Sequence, residues 1–194
     1  MQILKKEVRD KIMESALKLF ATKGFKNTTI SDVAASAGIS VGNIYNYFPT
    51  KKQLFADMLP ETVIEKFKNL LIIKFQMPVA DTSDTSDRII STIIEYRYHF
   101  IILMEMSEDD EYSALRKGMV SHFVRLYLDF IKKNFNREIN LRKYRDLLGT
   151  VYTNLLYGII AICKHNDSEA TIKDLMEKLL TYHLTGIRKM TEIL

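Results

Sequence analysis

The amino-acid sequence predicts an all-α fold. Seven of its 194 residues are glycine and three are proline, which favours long helices over a fold that needs many turns. No segment shows the sustained alternation of apolar and polar residues that marks a half-buried strand. Apolar residues make up 47% of the chain and charged residues 27%, so the chain is able to bury a hydrophobic core.

The strongest local pattern lies in residues 28–55, TTISDVAASAGISVGNIYNYFPTKKQLF. Thr29 suits the N-cap of a short helix, and Asp32 follows three residues later like the acid of a capping box. Gly38 suits the left-handed turn that ends this helix, and Ser40 suits the cap of a second short helix. Two short helices around a tight turn form a helix-turn-helix, which places one helix in the major groove of DNA.

The charge distribution favours the DNA-binding interpretation. A glycine-linked pair of short helices is also a common packing device in helical domains, so the spacing alone leaves both interpretations open. Residues 1–55 contain nine basic and four acidic residues, a net charge of +5. The rest of the chain contains 19 basic and 20 acidic residues, a net charge of −1. The net positive charge therefore lies with the motif, as the neutralisation of DNA phosphates requires.

A longer segment, residues 12–55, resembles the DNA-binding region of the TetR family of transcriptional regulators. The shared pattern is an amphipathic helix ending in Leu-Phe, then Gly, Thr-Thr, Ala-Gly with Ser following, Gly, Tyr-x-x-Phe and Lys-x-x-Leu. Val33 stands where the family usually has Ile, and Lys52 stands where it usually has Glu. The resemblance covers about a quarter of the chain, and no residue beyond Phe55 can be matched to a family position.

The resemblance implies a set of DNA-contacting residues around the second short helix. They are Thr29, Ser40, Val41, Gly42, Asn43, Tyr45, Tyr47 and Lys51. Asn43 is the best candidate for reading a base edge, because an amide makes paired hydrogen bonds to adenine. Lys51 would bind phosphate where a helix dipole adds to its charge. Both tyrosines would bond phosphate through their hydroxyls. The alternative is a partly buried ring, and of the two we expect it for Tyr45 before Tyr47.

We expect residues 1–52 to form a three-helix helix-turn-helix domain and residues 53–194 to form a helical domain for effector binding and dimerisation. The first helix should end at Gly24, and a kink is expected at Pro60 because proline removes a helical hydrogen bond. The helices predicted outside the motif are residues 5–23, 50–75, 87–106, 112–135, 140–165 and 168–193. The polar segment 78–86 is expected to be a loop.

The last two predicted helices carry the features of a dimer interface. Residues 147–163 contain no charge and reach the lower limit for a membrane span, ~17–25 residues. Asn154, two glycines and several hydroxyls make a helix buried between protein partners the better interpretation. The stripe expected in the interface is Ile172, Leu175, Met176, Leu179 and His183. Two copies would form a four-helix interface, although packing within one protomer is the alternative.

Methionine and aromatic residues in the second domain suggest an adaptable effector pocket, with a few polar groups to orient a mostly apolar ligand. The candidate pocket residues are Tyr96, His99, Phe100, Met104, Met119, His122, Phe123, Tyr127, Tyr152 and Leu156. Ordinary core packing is the alternative for each of them. Cys163 is the single cysteine, so no intrachain disulfide forms, and a buried, unreactive thiol is expected.

Together these patterns predict a ligand-responsive, homodimeric transcriptional regulator in the cytoplasm, most simply a repressor released from a near-palindromic operator by a small, mostly apolar effector. The alternative is a DNA-binding architectural or division-associated protein without a small ligand. Nothing supports an enzyme, because the sequence contains no Cys/His metal spacing and no Gly-rich phosphate loop. We therefore assign no catalytic residues, metal ligands, cofactors or membrane partner.

Overall fold

The computed structural model describes residues 5–72, 83–105, 113–135 and 141–193. Within these ranges the chain forms α-helices and no strand, which confirms the all-α prediction. The helices are α1 (Lys6–Asn27), α2 (Ile30–Ala37), α3 (Val41–Tyr47), α4 (Lys51–Asp57), α5 (Glu61–Ile72), α6 (Ser83–Glu95), α7 (Arg97–Glu105), α8 (Ser113–Phe135), α9 (Leu141–His165) and α10 (Glu169–Ile193).

The chain divides into two compact units. The first unit contains the described residues up to Glu65 together with Tyr98–Glu105. The second contains the described residues of Lys66–Arg97 and those that follow Met106. The functional boundary between residues 52 and 53 stays a prediction.

In the first unit, α1 packs against α2 and α4, and α2 packs against α3. Apolar residues at helical spacing supply the buried face of each helix. The core contains Ile12, Ala16 and Phe20 of α1, Val33 and Ala37 of α2, Ile44 of α3, Phe48, and Leu54 of α4. These side chains hold the two short helices of the motif in a fixed mutual orientation.

The predicted N-caps Thr29 and Ser40 are present, and Thr50 forms a third. Thr29, Ser40 and Thr50 each accept a hydrogen bond from the backbone N–H of the third residue that follows. At α2 the box is reciprocal, because the Thr29 N–H donates to Asp32 Oδ2 at 2.8 Å. Hydrogen bonds from Thr29, first from its backbone, lower the pKa of the Asp32 carboxyl to about 2. The start of each short helix is therefore fixed by its own side chains.

Two glycines make the sharp corners around α2. Gly38, at φ 64° and ψ 38°, is left-handed as predicted. Gly24 has φ 80° and ψ 162°, a conformation that is essentially restricted to glycine. The chain leaves helical geometry at Gly24, as predicted, although a last turn continues α1 to Asn27. These corners set the direction in which α2 leaves α1 and α3 leaves α2.

Two of the predicted helices are interrupted in the structure. The helix expected over residues 50–75 ends at Asp57 and restarts at Glu61, so the prediction of a single kinked helix was wrong. The Pro60 ring excludes continuous α-helical hydrogen bonding there, and Met58 and Leu59 instead donate to carbonyls three residues earlier. The helix expected over residues 87–106 is likewise divided, at Tyr96.

In the second unit, α10 packs against α6 and α9, and α9 also packs against α8. The most apolar window of 18 residues within residues 144–165 of α9 has a mean hydropathy of 1.4, and this helix is long and apolar enough to cross a membrane by composition alone. The same helix is central to the second unit and buries 39% of its most apolar window there. Cys163 is buried in α9, and burial raises the pKa of its thiol to about 11.

We predict that alanine at Gly24 destabilises the fold more than alanine at Gly38. A Cβ at Gly24 meets no atom within 4 Å, and one at Gly38 meets only the flexible Lys11 Nζ at 3.8 Å, so both costs come from the backbone. We expect about 1 kcal/mol for Gly38→Ala and about 2–3 kcal/mol for Gly24→Ala in urea titrations. Gly42→Ala, at an open helical position, is the control. A Gly24→Ala cost no larger than that of the control would contradict the argument.

Candidate nucleic-acid interface

Helix α3 exposes one face to solvent. Val41 and Tyr45 are 37% and 48% exposed, and Gly42 is exposed beside them. Ile44 and Phe48 point inward and are fully buried. An exposed apolar and aromatic tip on a short, capped helix is a surface suited to a DNA groove.

The positions of the two tyrosines reverse the prediction about burial. Tyr45 is exposed, whereas Tyr47 is half-buried. Because Ile44 and Phe48 fill the core, the next position after Ile44 is rotated toward solvent. The Tyr47 hydroxyl accepts a hydrogen bond from the backbone N–H of Lys5 at 3.1 Å. This contact was not predicted, and it brings the basic start of α1 beside the end of α3.

Asn43 lies in the first turn of α3 and is half-buried. Its backbone N–H donates to Ser40 Oγ at 3.2 Å and so completes the cap of α3. Its side-chain amide makes no hydrogen bond within the part of the chain that the structure describes. A free amide in the first turn of α3 can donate to and accept from one base edge at once.

Two residues that were predicted to bind phosphate have intramolecular partners. The Thr29 hydroxyl donates to Asp32 Oδ2 at 2.7 Å, so in this arrangement it has no second proton to donate to a phosphate. Lys51 Nζ donates to the carbonyl oxygens of Phe25 at 2.7 Å and Thr28 at 2.9 Å. An ammonium has three donors, so Lys51 has one left for a phosphate.

The predicted effector residues are divided between the two units. His99, Phe100 and Met104 lie in the first unit, and the other seven lie in the second. Within the second unit, rings connect three helices. Centroids are 6.2 Å apart for His122 and Phe123 of α8, and 5.6 Å apart for Phe123 and Tyr152 of α9. Tyr152 also lies 5.1 Å from the ring of His183 in α10.

The rings of His122, Phe123, Tyr152 and His183 form a series of contacts that we name the ring chain. It contains two imidazole nitrogens without a hydrogen-bond partner among the described residues. Nε2 of His122 and Nε2 of His183 are shielded from solvent and unbonded within the described ranges. The Arg125 guanidinium lies 3.2 Å from His122 Nδ1 and can only donate, which assigns the imidazole proton to Nε2. Burial lowers the pKa of His183 to about 4, and burial lowers that of His122 as well. Both rings are therefore neutral near pH 7.

An open groove of about 450 Å³ also lies in the second unit. Its lining residues come from α6 and α10 and are Asp87, Ile90, Ser91, Ile94, Glu95, Glu169 and Lys173. None of the predicted effector residues lines it. Sequence patterns gave no signal for this groove, because its two walls are distant along the chain.

The structure corrects two members of the predicted dimer stripe. Ile172 and Met176 are fully buried within one protomer, so a second copy cannot reach them. His183 packs against Tyr152 of the same protomer. Leu175 and Leu179 are half-buried at the edge of the core. They lie at the edge of a solvent-exposed apolar face, which is adjacent on α10 to the predicted stripe.

The outward face, named the α9/α10 face, is a pair of adjacent stripes with i, i+3 and i+4 spacing. Its residues are Leu147, Val151, Asn154, Tyr157 and Ala161 of α9, and Leu175, Leu179, Tyr182 and Gly186 of α10. Tyr157 is 65% exposed and Tyr182 is 79% exposed. A Cβ at Gly158 would lie 3.0 Å from Leu179 Cδ2, so the helices approach closely where the stripes meet.

Residues 12–58, which span this helix-turn-helix, match the model of the family described as bacterial regulatory proteins, tetR family. The match covers about a quarter of the chain, so it is this region that resembles the TetR family. Within the described residues, no group of three or more His, Cys, Asp or Glu side chains is arranged to hold a metal ion.

Individual relatives resemble different lengths of the chain. The Bacillus subtilis protein named uncharacterized HTH-type transcriptional regulator YuxN is 42% identical over 69 residues, which cover 36% of this chain and 24% of that protein. The nucleoid occlusion factor SlmA of Salmonella typhi is 26% identical over 177 residues, which cover 84% of this chain and 82% of that protein. A TetR-like transcriptional regulator from Rhodococcus sp. RHA1 shares the fold, with a TM-score of 0.53 and 15% identity over 95% of this chain and 100% of that chain.

We predict that Gly42→Ala separates folding from DNA binding. No atom lies within 4 Å of a Cβ at this exposed helical position, so alanine should stabilise α3 by about 0.5–1 kcal/mol. On DNA the added methyl group would lie where the backbone approaches the groove, and affinity should fall. Fluorescence anisotropy and thermal melts measure the two effects. Unchanged DNA affinity would exclude close approach at Gly42.

Proposed function

We propose that this protein is a transcriptional regulator of the TetR family, and that it is a homodimeric repressor in the cytoplasm. A small, mostly apolar effector releases it from a near-palindromic operator. The observation that carries the proposal is the exposed first turn of α3, with Val41, Gly42 and the free Asn43 amide on a scaffold closed by side-chain caps. The net charge of +5 in the same segment supports attraction to phosphate.

Dimerisation is supported by the α9/α10 face. Two exposed tyrosines and several small or apolar residues lie on it, and a solvent-exposed patch of this kind usually marks an interface. A second copy of the same face would complete a four-helix bundle with two-fold symmetry. Two α3 helices related by that symmetry would read half-sites that lie ~34–36 Å apart, one turn of DNA.

The effector is supported by the ring chain of His122, Phe123, Tyr152 and His183. Each buried nitrogen without a partner costs about 1–3 kcal/mol, which a ligand oxygen would recover. A neutral site with an N–H donor suits an apolar molecule that carries an uncharged acceptor such as a carbonyl. A coupling of about 1–3 kcal/mol between effector and operator would change DNA affinity by 5–150-fold.

A second candidate is a DNA-binding factor that organises or protects the nucleoid without a small effector. The match to a nucleoid occlusion factor over 84% of this chain favours it. Both candidates need a DNA-binding dimer, and they differ in whether a small molecule releases the DNA. Release by a small molecule therefore distinguishes them.

Binding-site selection with the purified protein tests the proposed function. We expect enrichment of one near-palindromic sequence, and the enriched duplex then serves to screen a library of small molecules for release. Release by an apolar carbonyl compound supports the repressor. Release by no compound, with many enriched sites, supports the second candidate. A protein that enriches no sequence contradicts both.

We predict that Asn43→Ala relaxes preference at one base pair of each half-site and costs about 1–3 kcal/mol at that position. The reason is that its amide is the free base-reading group in the first turn of α3. Repeating the selection with the variant measures the effect, and Asn46→Ala on the same helix is the control. An unaltered preference for every base pair would exclude Asn43 as a base reader.

We predict that Tyr182→Glu gives a folded monomer. The side chain is 79% exposed in one protomer, so the charge is tolerated until a second copy covers it. Thr181→Glu places the same charge on an exposed side of α10 that lies about 100° around the helix from Tyr182 and outside the α9/α10 face, so it should leave the dimer intact. Sedimentation equilibrium distinguishes the two variants, with circular dichroism to verify folding. Equal dimer affinities would show that the α9/α10 face is not the interface.

A further inference from the structure

We propose that Lys51 is a positioning residue, which fixes the corner between α1 and α2 and through it the orientation of the recognition helix α3. The resemblance to the family implies a phosphate contact for this lysine, whereas its geometry assigns most of its bonding to the protein itself. The proposal concerns how DNA is read and therefore rests on the proposed function.

The ammonium of Lys51 lies at the C-terminal end of α1. It donates to Phe25 O at 2.7 Å and to Thr28 O at 2.9 Å, and it lies 4.3 Å from the centroid of the Phe25 ring. Carbonyls at the end of a helix lack intrahelical donors and carry partial negative charge, so a cation there is favourable. Two hydrogen bonds and a cation–π contact hold one side chain in one place.

Thr28 fixes the same corner from the inside. It is fully buried, and its hydroxyl donates to Gly24 O at 2.8 Å while its backbone N–H donates to the same oxygen at 3.2 Å. The next residue, Thr29, is the N-cap of α2. The corner is therefore held by Thr28 on its buried side and by Lys51 on its outer side.

The contact joins α4 to the reading helix. Lys51 is the first residue of α4, and the other end of α4 is held to α1 by an ion pair between Arg9 and Asp57 at 2.7 Å. Because α2 packs directly against α3, a shift of the corner shifts the face that α3 presents. Without the Lys51 contacts, α4 would still be held to α1 at its C-terminal end by the ion pair, but the corner between α1 and α2 would be free to move.

Lys52 provides a matched control. It lies in the same first turn of α4, carries the same charge and is exposed. Among the described residues it makes no hydrogen bond or ion pair. Lys51→Met and Lys52→Met therefore remove the same charge from the same turn, and only the first removes the carbonyl contacts.

The experiment compares the two variants with Lys51→Arg at a temperature where circular dichroism shows all of them folded. Binding to the selected duplex and to a random duplex is measured over a range of salt concentrations. Hydrogen exchange of residues 25–29 is measured without DNA. For Lys51→Met we expect about a tenfold loss of preference for the selected duplex, a factor that corresponds to ~1.4 kcal/mol. We also expect faster exchange, and we expect Lys51→Arg to restore both.

A phosphate contact alone predicts a different result. Lys51→Met and Lys52→Met would then lower the salt slope alike, by ~0.9 for each phosphate that the variant no longer neutralises, with equal preference and equal exchange. That result would overturn the proposal. If Lys51→Met does not fold, the NH3⁺ resonance of Lys51 in the wild-type protein decides, because hydrogen-bonded ammonium protons exchange slowly and free ones do not. Failure of the protein to bind any DNA would refute the proposed function. The hydrogen exchange of residues 25–29, which is measured without DNA, would then decide whether Lys51 fixes the corner.

Discussion

Helices of seven or eight residues are not stable in water by themselves, since isolated helices need about 12–15 residues even with favourable sequences. Helices α2, α3 and α4 contain eight, seven and seven residues. Their stability must come from the side-chain caps at their starts and from the face that each buries against α1 or its neighbour. The exposed face of α3 can therefore carry residues chosen for DNA, because the fold does not depend on them.

The parts of this arrangement that could be predicted from sequence are the local ones. Thr29 with Asp32, Ser40 and Gly38 act within three or four residues of themselves, so their spacing contains the necessary information. The carbonyl partners of Lys51 lie 26 and 23 residues away, and no local pattern indicates them. The resemblance implied a contact between Lys51 and DNA, and it gave no indication of these two carbonyls.

The second unit was predicted less well for a related reason. The spacing of apolar residues in α10 allows more than one adjacent stripe to be the buried one, and the packing against α6 and α9 decides between them. Ile172 and Met176 became core, and Tyr182, which the predicted stripe omitted, became the most exposed of the large apolar side chains in the described residues. The candidate pocket residues were chosen by composition, which indicates the side chains that suit a ligand and not the unit in which each one lies. Three of them lie in the first unit and seven in the second.

The buried thiol of Cys163 has a practical consequence. A thiol must ionise to react, and a pKa of about 11 leaves very little thiolate at neutral pH. Maleimides and thiol-reactive nitroxide labels should therefore react only slowly with the native cysteine under mild conditions. A cysteine introduced on the outer face of α3 or α4 would then be the one that takes the label. Separations between two such labels across an assembly could be followed spectroscopically without first removing any natural residue.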